Sequence, residues 1–277
     1  MSEPSPKIDR RIDRIAARRR FERAAATYEK SSSLESEVAT RLLERLDYVK
    51  LAPRRILDAA SGPPRRALGN RYPGARVIAL DFALGMLRPR GFRFFRKNFS
   101  VCADVERLPI AAQAVDLVWC NMALHWLSDP LPAFREFARV LAPGGLVMFS
   151  ALGPDTLKEL RAAAGASRVH AFIDMHDLGD MLLAAGLSAP VMDMELLSFT
   201  YKDSSTLLSD LRASGQTSAR ADRPRGLAGR GFGETLRAGL AARATFEVVY
   251  GHAWKGVGKE SHVEPAPKTV RVFKRMP

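Results

Sequence analysis

No stretch of this 277-residue chain comes near the roughly 20 consecutive apolar residues that a membrane-spanning helix needs. Cysteine is nearly absent: Cys102 and Cys120 are the only two, both within apolar stretches, so no disulfide framework is indicated. The first 20 residues are polar and arginine-rich without a hydrophobic run, unlike a secretory signal, and Asp9, Asp13 and Glu22 argue against a transit peptide. These absences point to the cytoplasm. Acidic residues are also in deficit, 30 against 43 Lys and Arg, for a formal net charge of +13. A basic chain gains affinity for nucleic acid by releasing counterions from phosphates. Here, however, the arginines are scattered without interleaved aromatics, and no nucleic-acid motif is present. Two readings of the charge stay open: an arginine- and alanine-rich composition of the kind a GC-rich genome produces, and an acidic protein partner.

What the chain does have is an ordinary globular balance, 47% hydrophobic and 26% charged. Residues 7–30 read as a helix with Ile8, Ile12 and Ile15 on one face and arginines on the others. Ser32 and Glu35, at capping-box spacing, open a second helix striped with Leu34, Val38, Leu42, Leu46 and Val49. From Arg55 short apolar runs alternate with helical segments. The runs at 56–59, 75–80, 99–103, 115–120 and 146–150 have the length and flanks of buried parallel strands. Between them 65–71, 83–87 and 131–141 supply crossovers, the last expected to stop at Pro143-Gly144-Gly145. Such alternation predicts an α/β fold with a doubly wound parallel sheet that binds ligands at the carboxyl ends of its strands. Further on, the pattern predicts helices at 155–164 and 176–185, strands at 191–199 and 245–250, and a helical Gly/Arg/Ser-rich lid between. The expected division is 1–50 as N-terminal helices closing over the site, 51–202 as the core, 203–243 as the cap, and 244–277 as a final strand with a mobile polar tail.

The chemistry-bearing residues sit at the strand ends. Asp58-Ala59-Ala60-Ser61-Gly62-Pro63-Pro64 follows the first strand and resembles the first motif of class I S-adenosylmethionine-dependent methyltransferases. In that motif small residues let the backbone approach the cofactor. The motif is altered: Ala60 and Pro64 occupy glycine positions, and the two prolines donate no N–H bond. Asp81 ends the second strand, where a carboxylate accepts both ribose hydroxyls or else caps the following helix. The resemblance assigns Met86 and Leu87 to adenine packing and Asp104, followed by Val105, to the adenine amino group. Asn121, Met122 and Ala123 at the fourth strand end face the transfer site. A nicotinamide dehydrogenase is the competing reading of this architecture, but its Gly-x-Gly-x-x-Gly turn is missing.

A narrower resemblance runs from about Phe21 to Lys255. Residues 21–28, 121–126, 149–160 and 245–254 resemble the malonyl-acyl-carrier-protein O-methyltransferases of biotin synthesis. The resemblance implies a class I, Rossmann-like sheet with an antiparallel last strand, S-adenosyl-L-methionine as cofactor, and malonyl-acyl-carrier protein or malonyl-CoA as acceptor. A malonyl carboxylate is already ionised at pH 7, so it needs alignment and a hold rather than a general base. Tyr28 is the first candidate for that hold and His125 the second, with Trp126 as a pocket wall. An acidic carrier would also give Arg18, Arg19, Arg20, Arg220, Arg223, Arg225 and Arg230 a use. An arginine-hydroxylating complex I assembly factor is similar over much of the same length. The altered glycine motif leaves open a non-catalytic scaffold.

Overall fold

The structure, a computed structural model, describes residues 10–63, 67–88, 99–226 and 229–257. Its elements in chain order are α1 (Arg14–Ala24), α2 (Tyr28–Ser31), α3 (Ser33–Arg45), β1 (Arg55–Ala59), α4 (Ala67–Arg71), β2 (Arg76–Asp81), α5 (Leu84–Leu87), β3 (Phe99–Cys102), β4 (Val115–Cys120), α6 (Leu131–Val140), β5 (Leu141–Leu152), α7 (Lys158–Ala164), α8 (Met175–Ala184), β6 (Leu187–Thr200), α9 (Ser204–Ala213), α10 (Arg230–Gly239) and β7 (Arg243–Lys255). They form one seven-stranded sheet ordered β3-β2-β1-β4-β5-β7-β6. The first five strands pair in parallel, and β7 runs antiparallel between β5 and β6. Strand order reverses between β1 and β4, and a crevice opens at such a reversal.

Of the parallel strands, β1, β2, β4 and β5 are buried on both faces, so neighbouring residues enter opposite cores, whereas the edge strand β3 is exposed. Leu57, Val118, Cys120, Val147 and Phe149 pack against Phe134, Phe137, Leu178 and Leu182 of α6 and α8. Ile56, Leu117, Trp119, Leu146 and Met148 pack against Val38, Leu42 and Leu46 of the α3 region and Leu207 and Leu211 of α9. Phe134 and Phe137 are wholly buried, and truncating either to alanine removes about 3–5 kcal/mol. A third, smaller cluster holds Ala17, Phe21 and Ala25 against Ala83, Met86, Trp126 and Ala219. It seats α1 across the carboxyl ends of the strands.

Several boundaries differ from those expected. The N-terminal helix is split: α1 begins at Arg14, capped by the Asp13 carboxylate accepting from the Ala16 N–H at 2.9 Å, and α2 is a separate turn. Ile8 lies outside the described residues. No capping box forms at α3: Ser32 makes no side-chain cap bond, and Glu35 is drawn away to accept from Gln216 Nε2 at 2.6 Å. Pro143-Gly144-Gly145 follows the end of α6, which stops at Val140 against the expected 141. It lies inside β5 beside a register shift against β4, where a Cβ on Gly145 would meet the Ala142 carbonyl at 2.9 Å. Cys102, expected within an apolar run, is exposed on the edge strand β3. The segment 203–243 is only partly helical, with irregular chain between α9 and α10. Pro64, Arg65 and the tail from residue 258 lie outside the described residues. Among the described residues, no helix is long and apolar enough to cross a membrane.

Candidate functional site

Directly after β1 the chain turns through two left-handed residues, Ala60 (φ +55°) and Gly62 (φ +59°). Glycine adopts this backbone freely and alanine does not, so Ala60 is strained at the motif's glycine position. The turn is tied to β2 by the Ser61 N–H, which donates to the Leu80 carbonyl at 2.9 Å, and by the Gly62 N–H, which donates to Asp81 Oδ2 at 3.0 Å. Asp81 Oδ1 accepts from the Ala83 N–H at 2.8 Å. Asp81 does not cap α5, whose N-cap is Ala83 without a side-chain cap bond; it ties the Gly62 and Ala83 backbone and lines the pocket. Burial pushes its carboxyl up to about 6, against the opposing pull of these two backbone donors.

One pocket gathers Ala60, Gly62, Asp81, Met86, Asp104, Val105 and Asn121 from four strand ends. Asp58 lies behind them, buried at the end of β1, in a side chamber shared with Tyr28, Ala60 and Asn121. Arg14, Phe82, Met122 and Gln216 also line the pocket, and sequence reasoning gave none of them this place except Met122. Phe82 adjoins Asp81 in the chain, a signal that could have found it; Arg14 and Gln216 arrive through tertiary packing alone. Arg14 pairs with both Asp104 and Glu106, so α1 is fastened over the Asp104 side of the pocket. The space left is about 60 Å³, small beside ordinary ligand pockets of about 300–1,000 Å³. Asn121 is held by a relay: its amide Nδ2 donates to the Glu35 carbonyl at 3.0 Å and its Oδ1 accepts from the Ser150 hydroxyl at 2.9 Å. The Met122 N–H donates to the same hydroxyl oxygen at 2.9 Å, with Met122 at φ +56°.

A larger chamber of about 540 Å³ opens on the other side of Trp126 and Gln216, the two residues that line both spaces. Its walls include His125, His170, Phe172, Leu157, Leu160 and residues of α9 and α10. Among the described residues, both ring nitrogens of His125, the indole N–H of Trp126 and the Ser218 hydroxyl are buried without a hydrogen-bond partner. His125 and Trp126 are only 8% and 6% exposed. A buried unmet donor costs about 1–3 kcal/mol, and His125, Trp126 and Ser218 all line this one chamber. Burial pushes His125 down to about 3 and His170 down to about 4, with Arg20 and Arg220 adding to the second shift. Both rings are neutral at pH 7. Tyr28 does not line this chamber; its ring stands 3.6 Å from where a Cβ on Gly62 would lie, over the turn after β1.

Two of the sequence segments singled out above prove to be one structural unit. The Gly153 N–H donates to the Glu247 carbonyl at 2.9 Å, the Asp155 N–H to Glu247 Oε2 at 2.7 Å, and the Leu157 N–H to the Thr245 carbonyl at 2.7 Å. A Cβ on Gly153 would lie 2.3 Å from Glu247 Oε1. These bonds place Leu157 and Leu160 in the chamber wall. A second set of bonds stitches α1 to the chain after α9. The Asp13 N–H donates to the Ala219 carbonyl and the Ala221 N–H to the Arg11 carbonyl, both at 2.8 Å. Arg20 Nε donates to Thr217 Oγ1 at 2.7 Å, and the Thr27 hydroxyl to the Ala213 carbonyl at 2.7 Å. Two of the cap arginines expected to face a partner are held internally instead. Arg220 is buried on Asp222 at 2.6 Å and Arg223 pairs with Asp13 at 2.9 Å. The Arg230 side chain lies outside the described residues.

Residues 57–149 match the family described as a methyltransferase domain. A protein of Methylovorus sp. (strain MP688) named malonyl-[acyl-carrier protein] O-methyltransferase is 49% identical over 266 residues, 88% of this chain and 90% of that protein. One of the same name from Gallionella capsiferriformans (strain ES-2) is 47% identical and covers 94% of both chains. Among solved structures, a putative methyltransferase of Bacillus halodurans C-125 superposes with a TM-score of 0.55 at 16% identity, covering 77% of this chain and 98% of that one. A Thermotoga maritima S-adenosylmethionine-dependent methyltransferase gives 0.52 at 17% identity, covering 86% and 99%. These two likenesses establish the class I methyltransferase fold.

Proposed function

The chain belongs to the malonyl-[acyl-carrier protein] O-methyltransferase family, and from that premise we propose that it methylates the free carboxylate of a malonyl thioester, using S-adenosyl-L-methionine, in the cytoplasm. The observation that carries this reading is the pair of spaces meeting at Trp126 and Gln216. The residues of the smaller space fit the cofactor. Asp81 suits a ribose diol, Phe82, Met86, Val105 and Leu127 suit the faces of a purine, Asp104 suits an amino group, and the turn at Gly62 lets a methionyl chain approach the backbone. Asp58 backs that turn. The cofactor, when bound, supplies an electrophilic methyl group on a sulfonium.

On the acceptor side no residue has to remove a proton, because the malonyl carboxylate is an anion at pH 7. His125, Trp126 and Ser218, with their unmet polar groups, take that carboxylate as neutral donors. Neutral donors orient the anion without pairing it to a fixed charge that would blunt its nucleophilicity. The hold therefore lies with these three rather than with Tyr28, which covers the cofactor side over Gly62. In this reading residues 203–243 form the cover of the acceptor chamber. The free acid becomes an apolar ester, which lets the chain be extended as an ordinary primer. Relatives of 36–49% identity under one name support this over the arginine-hydroxylating assembly factor and over a scaffold.

The test is a mass-spectrometric assay with methyl-labelled cofactor and either malonyl-CoA or malonyl-acyl-carrier protein. The expected product carries one added labelled methyl, removable by mild base as an ester is. No methyl on either malonyl donor, with an oxygen added to a protein arginine, overturns the reading.

A further inference from the structure

We infer that the seam between α1–α2 and α9 is the docking face for an acidic protein that delivers the acyl group on a flexible arm; this rests on the methyl-transfer reading above. The outer face of α1 presents Arg19 and Arg23 to solvent, one turn apart, and α2 adds the exposed Lys30. Arg212, in the last turn of α9, is exposed as well. None of the four has a carboxylate partner among the described residues, whereas Arg14, Arg41, Arg45, Arg71, Arg139 and Arg220 are all ion-paired.

The seam is continuous. The Thr27 hydroxyl donates to the Ala213 carbonyl at 2.7 Å, and Gly215 packs so closely that a Cβ there would meet Ala24 and Phe21 at 3.2 and 3.3 Å. Positive charge is crowded along it. Arg20, half-buried beneath the outer face, is pushed down first by burial and then by repulsion from Arg223 and Arg23. The larger chamber opens at this seam, since Ser31, Ser33, Arg212, Gln216 and Thr217 are all among its lining residues. An acidic protein seated here neutralises the crowded cations and has its arm at the chamber mouth. Long-range attraction of this kind acts mainly on encounter and on KM rather than on the transfer step.

The experiment compares wild-type protein with an Arg19→Glu/Arg23→Glu/Lys30→Glu variant on malonyl-acyl-carrier protein and on malonyl-CoA. A charge reversal at exposed Arg135 on α6, on the sheet face away from α9, serves as control. The expected result is a fall of roughly tenfold or more in kcat/KM for the carrier-linked substrate, mostly in KM, with the CoA-linked value and the control nearly unchanged. Equal losses on both substrates, or none on either, overturn the docking face. Binding of malonyl-acyl-carrier protein, read by fluorescence anisotropy without turnover, separates the two proposals. A wild type that binds the carrier through these residues yet methylates nothing sinks the reaction and leaves the face standing. One that methylates malonyl-CoA but binds the carrier equally well as the variant sinks the face alone.

Discussion

At the residue scale, the altered glycine motif is strained rather than broken. Ala60 keeps the left-handed backbone that the motif's glycine would take, at about 1–2 kcal/mol for an L side chain. Ala60→Gly removes that strain but adds about 0.5–1 kcal/mol of unfolded-chain entropy. A net stabilisation of about 0.5–1 kcal/mol is expected in denaturant unfolding, with S-adenosylhomocysteine bound as well or better. A less stable variant would show that the alanine methyl contributes packing that outweighs its backbone. Asp81 offers a second residue-level test. Its carboxyl titrates near 6 when folded against 3.8 in the unfolded chain, so between those values the folded state holds an extra proton. Stability of the cofactor-free protein therefore falls as pH rises from about 4 to about 6 and levels off above. Affinity for S-adenosylhomocysteine should rise over the same window, because the ionised carboxylate is the better acceptor for two hydroxyls. Asp81→Asn should flatten that dependence, and Asp81→Ala should weaken binding by about 1.5–3 kcal/mol in titration calorimetry. A pH profile that keeps its slope in Asp81→Asn would assign the titration elsewhere.

At the element scale, the loop from Gly153 to Leu157 is a clamp between β5 and β7, closed on Glu247. Gly153→Ala drives a methyl into a carboxylate that is fixed by the Asp155 N–H, and should cost about 1–3 kcal/mol by overpacking. Since the clamp sets Leu157 and Leu160 in the chamber wall, the variant should raise KM for malonyl-CoA while leaving cofactor affinity unchanged; a change in cofactor affinity alone would contradict this placement. Elements also show what was legible beforehand. The parallel strands and their acidic ends could be read because burial on both faces leaves continuous apolar runs broken by single polar residues, as at Asp58 and Asp81. The same logic failed for Glu35, whose spacing matched a capping box but whose carboxylate is taken by Gln216, 181 residues away. At Pro143-Gly144-Gly145 the punctuation does fall just past the end of α6 at Val140, but it also lies inside β5 beside a register shift, which spacing alone does not show. Arg14 could not be read at all, since one arginine among many acquires its place only when α1 folds over Asp104.

At the scale of the whole molecule, the stitches between α1 and the chain at 213–223 make one body out of what the sequence suggested were two, an N-terminal cover and a cap. α1 bounds the smaller space, and Thr217 and Ser218 of the stitched chain bound the larger. If α1 lifts to admit the cofactor, the stitches drag a wall of the larger chamber with it. The consequence is kinetic order. On that premise the acceptor would find a finished chamber only after the cofactor is in and α1 is down, and while it sits there the cofactor would have no exit. Steady-state analysis should then give a compulsory sequence with the cofactor first on and its demethylated product last off. S-adenosylhomocysteine should compete with the cofactor and inhibit noncompetitively against the malonyl substrate. Burst kinetics should place the slow step after ester formation, at the release that frees α1; patterns of random order would mean that the body bends at the stitches instead of moving whole.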